Sequence, residues 1–197
     1  ALNTIGICFL MAPRHLVAMK HVGPARVQLG IRTIFNLLGP LSNPAFVKRQ
    51  MVGVFDKRWL HPFAEALNKM GSSHAWIVHG RDGLDEVSIS DKTDVVQLKN
   101  GVIKELVIKP EEYGYKKVKL ETIKGGDPKY NALELRSLLE GKEGPYKDIV
   151  LLNSAAAILG SGHEKDFGQA LNKSKKSLES GKALKKLDGL ISITNNQ

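Results

Sequence analysis

The stretch "RQMVGVFDKRWLHPFAEALNKMGSSHAWIVHG", residues 49–80, decides the fold. Its first residues, 49–55, contain an apolar run that predicts a buried strand, and residues 74–80 contain a second such run. Between the two runs, Asp56 predicts a helix N-cap, apolar residues recur at helical spacing, and Gly71 predicts the helix end. A strand, a helix and a strand within about thirty residues form a right-handed parallel unit by default.

The residues after this unit add a hairpin and helices. Asn100-Gly101 separates two β-rich runs within residues 94–108, which is the strongest short hairpin signal. Residues 131–141 and 147–162 have helical apolar spacing, and another helical segment follows. The chain is therefore predicted to be an α/β protein, with a mostly parallel sheet flanked by helices and a β-hairpin excursion.

The residues before the unit give weaker signals. Residues 5–13 read as a buried strand that Pro13 ends, and residues 18–30 read as an interrupted helix. Residues 32–45 read as a short apolar piece followed by a loop with two prolines.

Composition bounds the class of protein. The chain has 197 residues, of which 42% are hydrophobic and 25% charged, as in ordinary globular proteins. We expect one domain, residues 1–197. The apolar runs are too short to cross a bilayer, and the single cysteine excludes an internal disulfide and favours a cytoplasmic location. The chain begins with Ala1 and runs at once into an apolar segment, so we expect it to be a piece of a longer protein.

The net charge of +9 leaves several partners open. Many lysines fall between Lys165 and Lys186, where they most simply form the solvated face of helices. A nucleic-acid surface or a polyanionic small substrate would carry the same charge. Nucleic acid is disfavoured because Trp59 and Trp76 lie elsewhere, inside apolar patterns, so no aromatic platform accompanies the lysines.

Three acidic residues crowd the stretch "HGRDGLDEVS", residues 79–88. Asp82, Asp85 and Glu86 follow a predicted strand, and small ligands of open α/β sheets bind beyond the carboxyl ends of strands. Mg²⁺ takes one or two carboxylates and keeps waters and substrate phosphate oxygens. Asp85 and Glu86 are the candidate pair, although spacing alone favours a solvated turn.

A second candidate site is "PARVQLGIRTIFNLLGPLSNP", residues 24–44. Arg26 and Arg32 have the side chain that holds a carboxylate or phosphate by paired hydrogen bonds. Gly39 lets a backbone approach a ligand closely, and Pro40 stiffens the chain there. A tight connection with surface arginines is the simpler interpretation of the same residues.

Four blocks of the chain together resemble one family. Residues 18–45, 50–55, 78–88 and 144–159 resemble successive blocks of anthranilate phosphoribosyltransferase, in order and at the expected separations. The resemblance covers nearly the whole chain, and "RTIFNLLGPLSNP" and "DGLDE" are its most specific parts. Thymidine and pyrimidine-nucleoside phosphorylases share the broader fold but lack these two blocks.

The resemblance implies the fold of the C-terminal domain of nucleoside phosphorylases and phosphoribosyltransferases. It implies an enzyme of tryptophan biosynthesis that joins the amine of anthranilate to C1 of phosphoribosyl pyrophosphate and releases pyrophosphate. By position, Arg26 matches the residue that holds the anthranilate carboxylate, and Gly39 and Pro40 match the loop along the anthranilate channel. Asp85 and Glu86 match the pair that binds Mg²⁺ on the pyrophosphate. No catalytic side chain is assigned.

Two departures from the family pattern limit these implications. The family has a histidine and then a small residue or proline before "AMK", whereas this chain has Leu16-Val17 with His15 one position early. The family's N-terminal helical domain and glycine-rich phosphate loop have no counterpart, so we expect the 197 residues alone to lack transferase activity. A homodimer of the family type stays open for the same reason.

Two alternatives also stay open. A nucleoside phosphorylase-type enzyme would keep the fold without needing Arg26 for a carboxylate. A non-catalytic basic binding module would need neither substrate.

Overall fold

The computed structural model describes residues 1–11, 28, 35–43 and 45–195. Its strands are β1 (Arg49–Gly53), β2 (His74–Gly80), β3 (Thr93–Lys99) and β4 (Val102–Ile108). Its α-helices are α1 (Leu2–Ile5), α2 (Phe35–Leu41), α3 (Leu60–Lys69), α4 (Pro128–Leu139), α5 (Pro145–Gly160), α6 (Phe167–Glu179) and α7 (Lys182–Asn195). Short 3₁₀ helices span Lys57–Trp59, Pro110–Tyr113 and Leu120–Ile123.

The four strands form one sheet in the order β1-β2-β3-β4. β1 and β2 are parallel, with Gly53 opposite Val78, whereas β3 and β4 follow in antiparallel pairings. The predicted α/β class and the hairpin excursion are confirmed. The predicted share of parallel pairings was wrong, because only one of the three pairings among the described strands is parallel. Residues 81–92 contain no helix, and without a crossover the chain returns in the opposite direction.

The predicted strand–helix–strand unit is confirmed. Asp56 accepts a hydrogen bond from the backbone N–H of Arg58 at 3.0 Å and caps the 3₁₀ turn that leads into α3. α3 buries one face against β2 and β3, as its apolar spacing predicts. Four buried residues line that face: Leu60, Phe63, Ala64 and Leu67.

The hairpin turn has the conformation that Asn-Gly predicts. Asn100 and Gly101 have φ angles of 49° and 83°. Positive values at both central residues are those of a type I′ turn, whose twist matches that of the strands it joins.

The opposite face of the sheet packs against α5, which contacts β1 and β2, and α6 packs on α5. Alternate residues of β2 therefore enter two separate cores. Trp76 and Val78 lie in the core with α5, whereas Ala75 and Ile77 lie in the core with α3. The sheet is the middle layer between two helical layers.

Two predictions for the first fifty residues are corrected. Residues 7–11 have no regular structure, and α1 takes the place of the start of the predicted strand. Phe9 is 78% exposed and Cys8 is exposed, so this apolar run is not buried among the described residues. The predicted loop is also partly helical, because Phe35–Leu41 forms α2. The helix predicted at 18–30 and residue Pro13 lie outside the described residues. No helix in the described part of the chain has the length and apolar character that crossing a bilayer requires.

Candidate functional site

The acidic loop after β2 lies directly on the end of β1. An ideal Cβ placed on Gly53 would lie 1.5 Å from the backbone oxygen of Asp85 and 2.6 Å from its carbonyl carbon. No side chain fits in that space, so the approach requires glycine at residue 53. Because β1 and β2 are parallel, their carboxyl ends are neighbours, and the loop that leaves β2 crosses the end of β1.

Asp82 stabilises the loop from inside. One oxygen of its carboxylate accepts a hydrogen bond from the backbone N–H of Leu84 at 3.2 Å, and the other accepts one from the hydroxyl of buried Ser88. The backbone N–H of Gly80 donates to the carbonyl of Leu84 at 2.8 Å, which closes the turn. Asp82 is therefore a turn residue, and its bond to the backbone two residues on is the one that an Asx turn makes.

Asn153 of α5 holds the far end of the loop. The backbone N–H of Val87 donates to Asn153 Oδ1 at 2.8 Å, and Asn153 Nδ2 donates to the carbonyl of Val87 at 2.8 Å. Sequence reasoning missed this residue. Its signal was one amide inside the apolar helical run "IVLLNSAAAIL", residues 149–159, because a buried amide needs partners.

Asp85 and Glu86 are the two acids that the loop leaves free. Both residues are exposed, and neither carboxylate has a hydrogen bond or ion pair with another described residue. Neighbouring protein nevertheless partly desolvates the Glu86 carboxyl group. This desolvation and the adjacent charge of Asp85 raise the pKa of Glu86. Two like charges side by side disfavour ionisation, and a bound cation would relieve that cost.

Two cations that follow β1 and β2 in the chain are paired with a different carboxylate. Arg81 donates to the carboxylate of Asp94 through Nε at 3.1 Å and Nη2 at 2.8 Å, and Lys57 Nζ lies 3.2 Å from the same group. Burial alone would raise the pKa of Asp94, but the hydrogen bonds from Arg81 and Lys57 outweigh it and lower the pKa. These two cations therefore neutralise Asp94, and Asp85 and Glu86 have no paired cation among the described residues.

The donor set suits Mg²⁺ better than a metal held by protein alone. Within the described ranges, no three His, Cys, Asp or Glu side chains come together as a metal site. Two carboxylates on a fixed loop fit Mg²⁺, which keeps several waters and binds substrate phosphates as well.

The predicted anthranilate-site residues are described only in part. Gly39 and Pro40 lie in α2, with Gly39 half-buried and Pro40 exposed. Pro40 borders a groove that also includes Phe46 and Met70. Arg26 and His15 lie outside the described residues, so their predicted roles stay predictions.

Comparison with known families defines the class of this chain. Residues 1–184 match the model of the glycosyl transferase family, a/b domain, and the chain belongs to that family. Its curated relatives include anthranilate phosphoribosyltransferases. The one from Azorhizobium caulinodans is 52% identical over 96% of this chain, and the one from Rhodopseudomonas palustris strain BisB5 is 51% identical over 96% of it. The chain spans only 55% and 56% of the lengths of these two relatives.

Solved structures agree with this assignment. The anthranilate phosphoribosyltransferase of Thermus thermophilus matches with a TM-score of 0.89 and 38% identity, over 98% of this chain and 57% of its own. The Saccharomyces cerevisiae enzyme in complex with PRPP and Mg matches with a TM-score of 0.81 and 32% identity, over 91% of this chain and 52% of its own. The resemblance inferred from the sequence blocks and the domain type are therefore confirmed.

We predict that Gly53→Ala displaces the acidic loop. The added methyl group overlaps the backbone of Asp85, and an overpacked site typically costs about 1–3 kcal/mol. Chemical denaturation would measure the loss of stability, and hydrogen exchange of residues 84–87 would measure the loss of protection. Gly39→Ala is the control, since a Cβ there meets no atom within 4 Å and alanine favours a helix. Wild-type stability and wild-type exchange in Gly53→Ala would contradict this account of the loop.

Proposed function

We propose that this chain is the α/β part of an anthranilate phosphoribosyltransferase. The observation that carries the proposal is the pair Asp85 and Glu86, presented on a loop fixed at both ends and without a paired cation among the described residues. Relatives of that name that are about half identical over nearly the whole chain support it. The yeast relative was solved with PRPP and Mg, and also with 4-fluoroanthranilate, which supports both substrates.

The proposed reaction forms a bond between the amine nitrogen of anthranilate and C1 of the ribose. The bond between C1 and the pyrophosphate oxygen breaks, its electron pair leaves with pyrophosphate, and the amine loses a proton. Asp85 and Glu86 would hold Mg²⁺, which when bound supplies positive charge to the leaving pyrophosphate. Arg26 would hold the anthranilate carboxylate, and Gly39 and Pro40 would line the path to it.

Partners and location form part of the same proposal. Anthranilate and phosphoribosyl pyrophosphate are the proposed substrates, and Mg²⁺ is the proposed cofactor. A single cysteine in 197 residues supports a cytoplasmic location. Ion pairs such as Lys173 with Glu164 and Arg136 with Asp188 support a structural role for some of the basic residues of the helical layer.

We predict that Asp85 and Glu86 act as one metal site. In the complete enzyme, Asp85→Asn or Glu86→Gln should each raise the Mg²⁺ concentration needed for half-maximal activity. The loss of transition-state stabilisation in the double variant should be much smaller than the sum of the two single losses, because the effects of groups that act as a unit are non-additive. These proteins form a double-mutant cycle. Titration with Mg²⁺ at saturating substrates would be done on the wild type, the two single variants and the double variant.

Glu65→Gln is the control for this cycle, because Glu65 is exposed on α3 and is not part of the acidic loop. It should leave the Mg²⁺ titration unchanged. Independent sites add within roughly 0.5 kcal/mol. Additive losses of activity that do not depend on the Mg²⁺ concentration would contradict the metal site and indicate that the loop is a solvated turn.

We predict that Arg26→Ala in the complete enzyme raises the KM for anthranilate far more than that for phosphoribosyl pyrophosphate. Hydrogen bonds to a charged group contribute about 1.5–3 kcal/mol, which corresponds to roughly 10- to 150-fold. Steady-state kinetics with each substrate varied in turn would measure the two constants. Arg26→Lys should recover part of the loss, because it keeps the charge but not the paired geometry. Equal effects on both substrates would instead mean that Arg26 is structural or faces the phosphates.

A further inference from the structure

We propose that Asn153 is a positioning residue for the acidic pair. Its side-chain amide binds both the N–H and the C=O of Val87, the residue that follows Glu86, and so fixes the loop to α5. The inference rests on the proposed role of Asp85 and Glu86 in holding a metal. Asn153 itself touches neither substrate nor metal in this proposal.

Three hydrogen bonds hold the side-chain amide of Asn153. Its oxygen accepts from the backbone N–H of Val87 at 2.8 Å. Its nitrogen donates to the carbonyl of Val87 at 2.8 Å and to the carbonyl of Ile149, one turn earlier in α5, at 3.0 Å. The bond to Ile149 holds the amide to its own helix, so the side chain presents a fixed donor and a fixed acceptor to the loop.

These two bonds constrain the backbone next to Glu86. The N–H of Val87 belongs to the planar peptide group that begins at the carbonyl of Glu86, and the C=O of Val87 belongs to the next peptide group. Fixing both planes fixes the dihedral angles between them, and with them the direction in which the backbone leaves Glu86. A salt bridge or a packed side chain would not constrain those angles in the same way.

The other end of the pair is in close contact with β1. The backbone of Asp85 lies on Gly53 at the end of β1. α5 also lies close to β1, because an ideal Cβ on Gly160 would be 3.0 Å from the carbonyl oxygen of Gln50. The strand and the helix that contact the loop are therefore packed against each other, and the backbone of the acidic pair is held on one side by β1 and on the other by α5. A functional site requires positions held within about 0.5 Å.

A structural role alone would also explain the bonds of Asn153, so the test must separate position from stability. The side chain of Val87 is fully buried in the core with α5. Its peptide groups therefore need hydrogen-bond partners whether or not the loop binds a metal. Removing Asn153 would lower stability in either case. Metal binding by the loop is the property that only a positioning role changes.

The test uses the complete enzyme with Mn²⁺ as the probe. Titrated Mn²⁺ broadens the amide signals of residues 84–88 when it binds, and hydrogen exchange reports the protection of the Val87 amide. Asn153→Ala should expose that amide and raise the Mn²⁺ concentration for half-maximal broadening about 10- to 100-fold, the range typical of residues that orient metal ligands. In activity assays it should raise the Mg²⁺ requirement without a selective rise in the anthranilate KM.

Two controls match the change in residue type and the loss of stability. Asn172→Ala removes an exposed asparagine of α6 and should alter neither the Mn²⁺ response nor the protection of the Val87 amide. Leu159→Ala removes a buried side chain near the far end of α5 and should lower stability while leaving the Mn²⁺ response unchanged. If Leu159→Ala shifts the Mn²⁺ response as much as Asn153→Ala does, the positioning role is overturned.

Asn153→Asp decides the question if Asn153→Ala does not fold. Aspartate keeps an oxygen for the N–H of Val87 but loses both donations, and its negative charge alone would attract Mn²⁺ more strongly. A weaker Mn²⁺ response in this variant therefore comes from lost positioning, whereas an unchanged or stronger response overturns the proposal.

The two proposals fail in different ways. If Asp85→Asn and Glu86→Gln abolish the Mn²⁺ response but the Asn153 variants leave it unchanged, the metal site stands and the positioning role falls. If Asp85→Asn and Glu86→Gln do not change the Mn²⁺ response, the proposed metal site falls, and the role of Asn153 falls with it.

Discussion

The parallel pairing of β1 with β2 is the constraint on which the candidate site depends. It sets Gly53 opposite Val78, so β2 runs two residues beyond the last pair, to Gly80. A chain that leaves β2 there and returns as the antiparallel β3 has to turn next to the end of β1. Because Gly53 has no side chain, the backbone of Asp85 lies on it, and the acidic pair lies at the carboxyl edge of the sheet, where ligands of open α/β sheets bind.

The same geometry gives the three acids of the loop two kinds of environment. Asp82 turns inward, accepts two hydrogen bonds and holds the loop closed. Asp85 and Glu86 receive no such bonds within the described residues, and Arg81 of the same loop is engaged by Asp94, as is Lys57. The charge of the pair is therefore available to a ligand. An acid that stabilises a turn differs from one that holds a metal by its partners and not by its spacing.

The sequence predicts the local features of this fold well, because their causes lie within a few residues. The strand–helix–strand unit, the Asp56 cap and the Asn100-Gly101 turn depend on near neighbours. The share of parallel pairings depends on whether a helix follows β2, and the burial of residues 5–11 depends on what packs on them, so these two details were predicted wrongly. The role of Asn153 depends on a loop sixty-six residues away in the chain. The candidate pair itself was predicted from the family blocks, since its spacing alone indicated a turn.

The acidic pair and the arginine carry different parts of the proposed chemistry. Two carboxylates that hold Mg²⁺ would suit any transfer in which pyrophosphate leaves, because they act on the leaving group and not on the acceptor. Discrimination for an aromatic amine that bears a carboxylate needs a group that binds that carboxylate, and Arg26 is the proposed one. Family membership therefore bears on the reaction class more directly than on the acceptor. The acidic loop, which contacts Gly53 and Asn153, explains how this chain would bind the leaving group. The choice of acceptor would depend on the block that contains Arg26, Gly39 and Pro40.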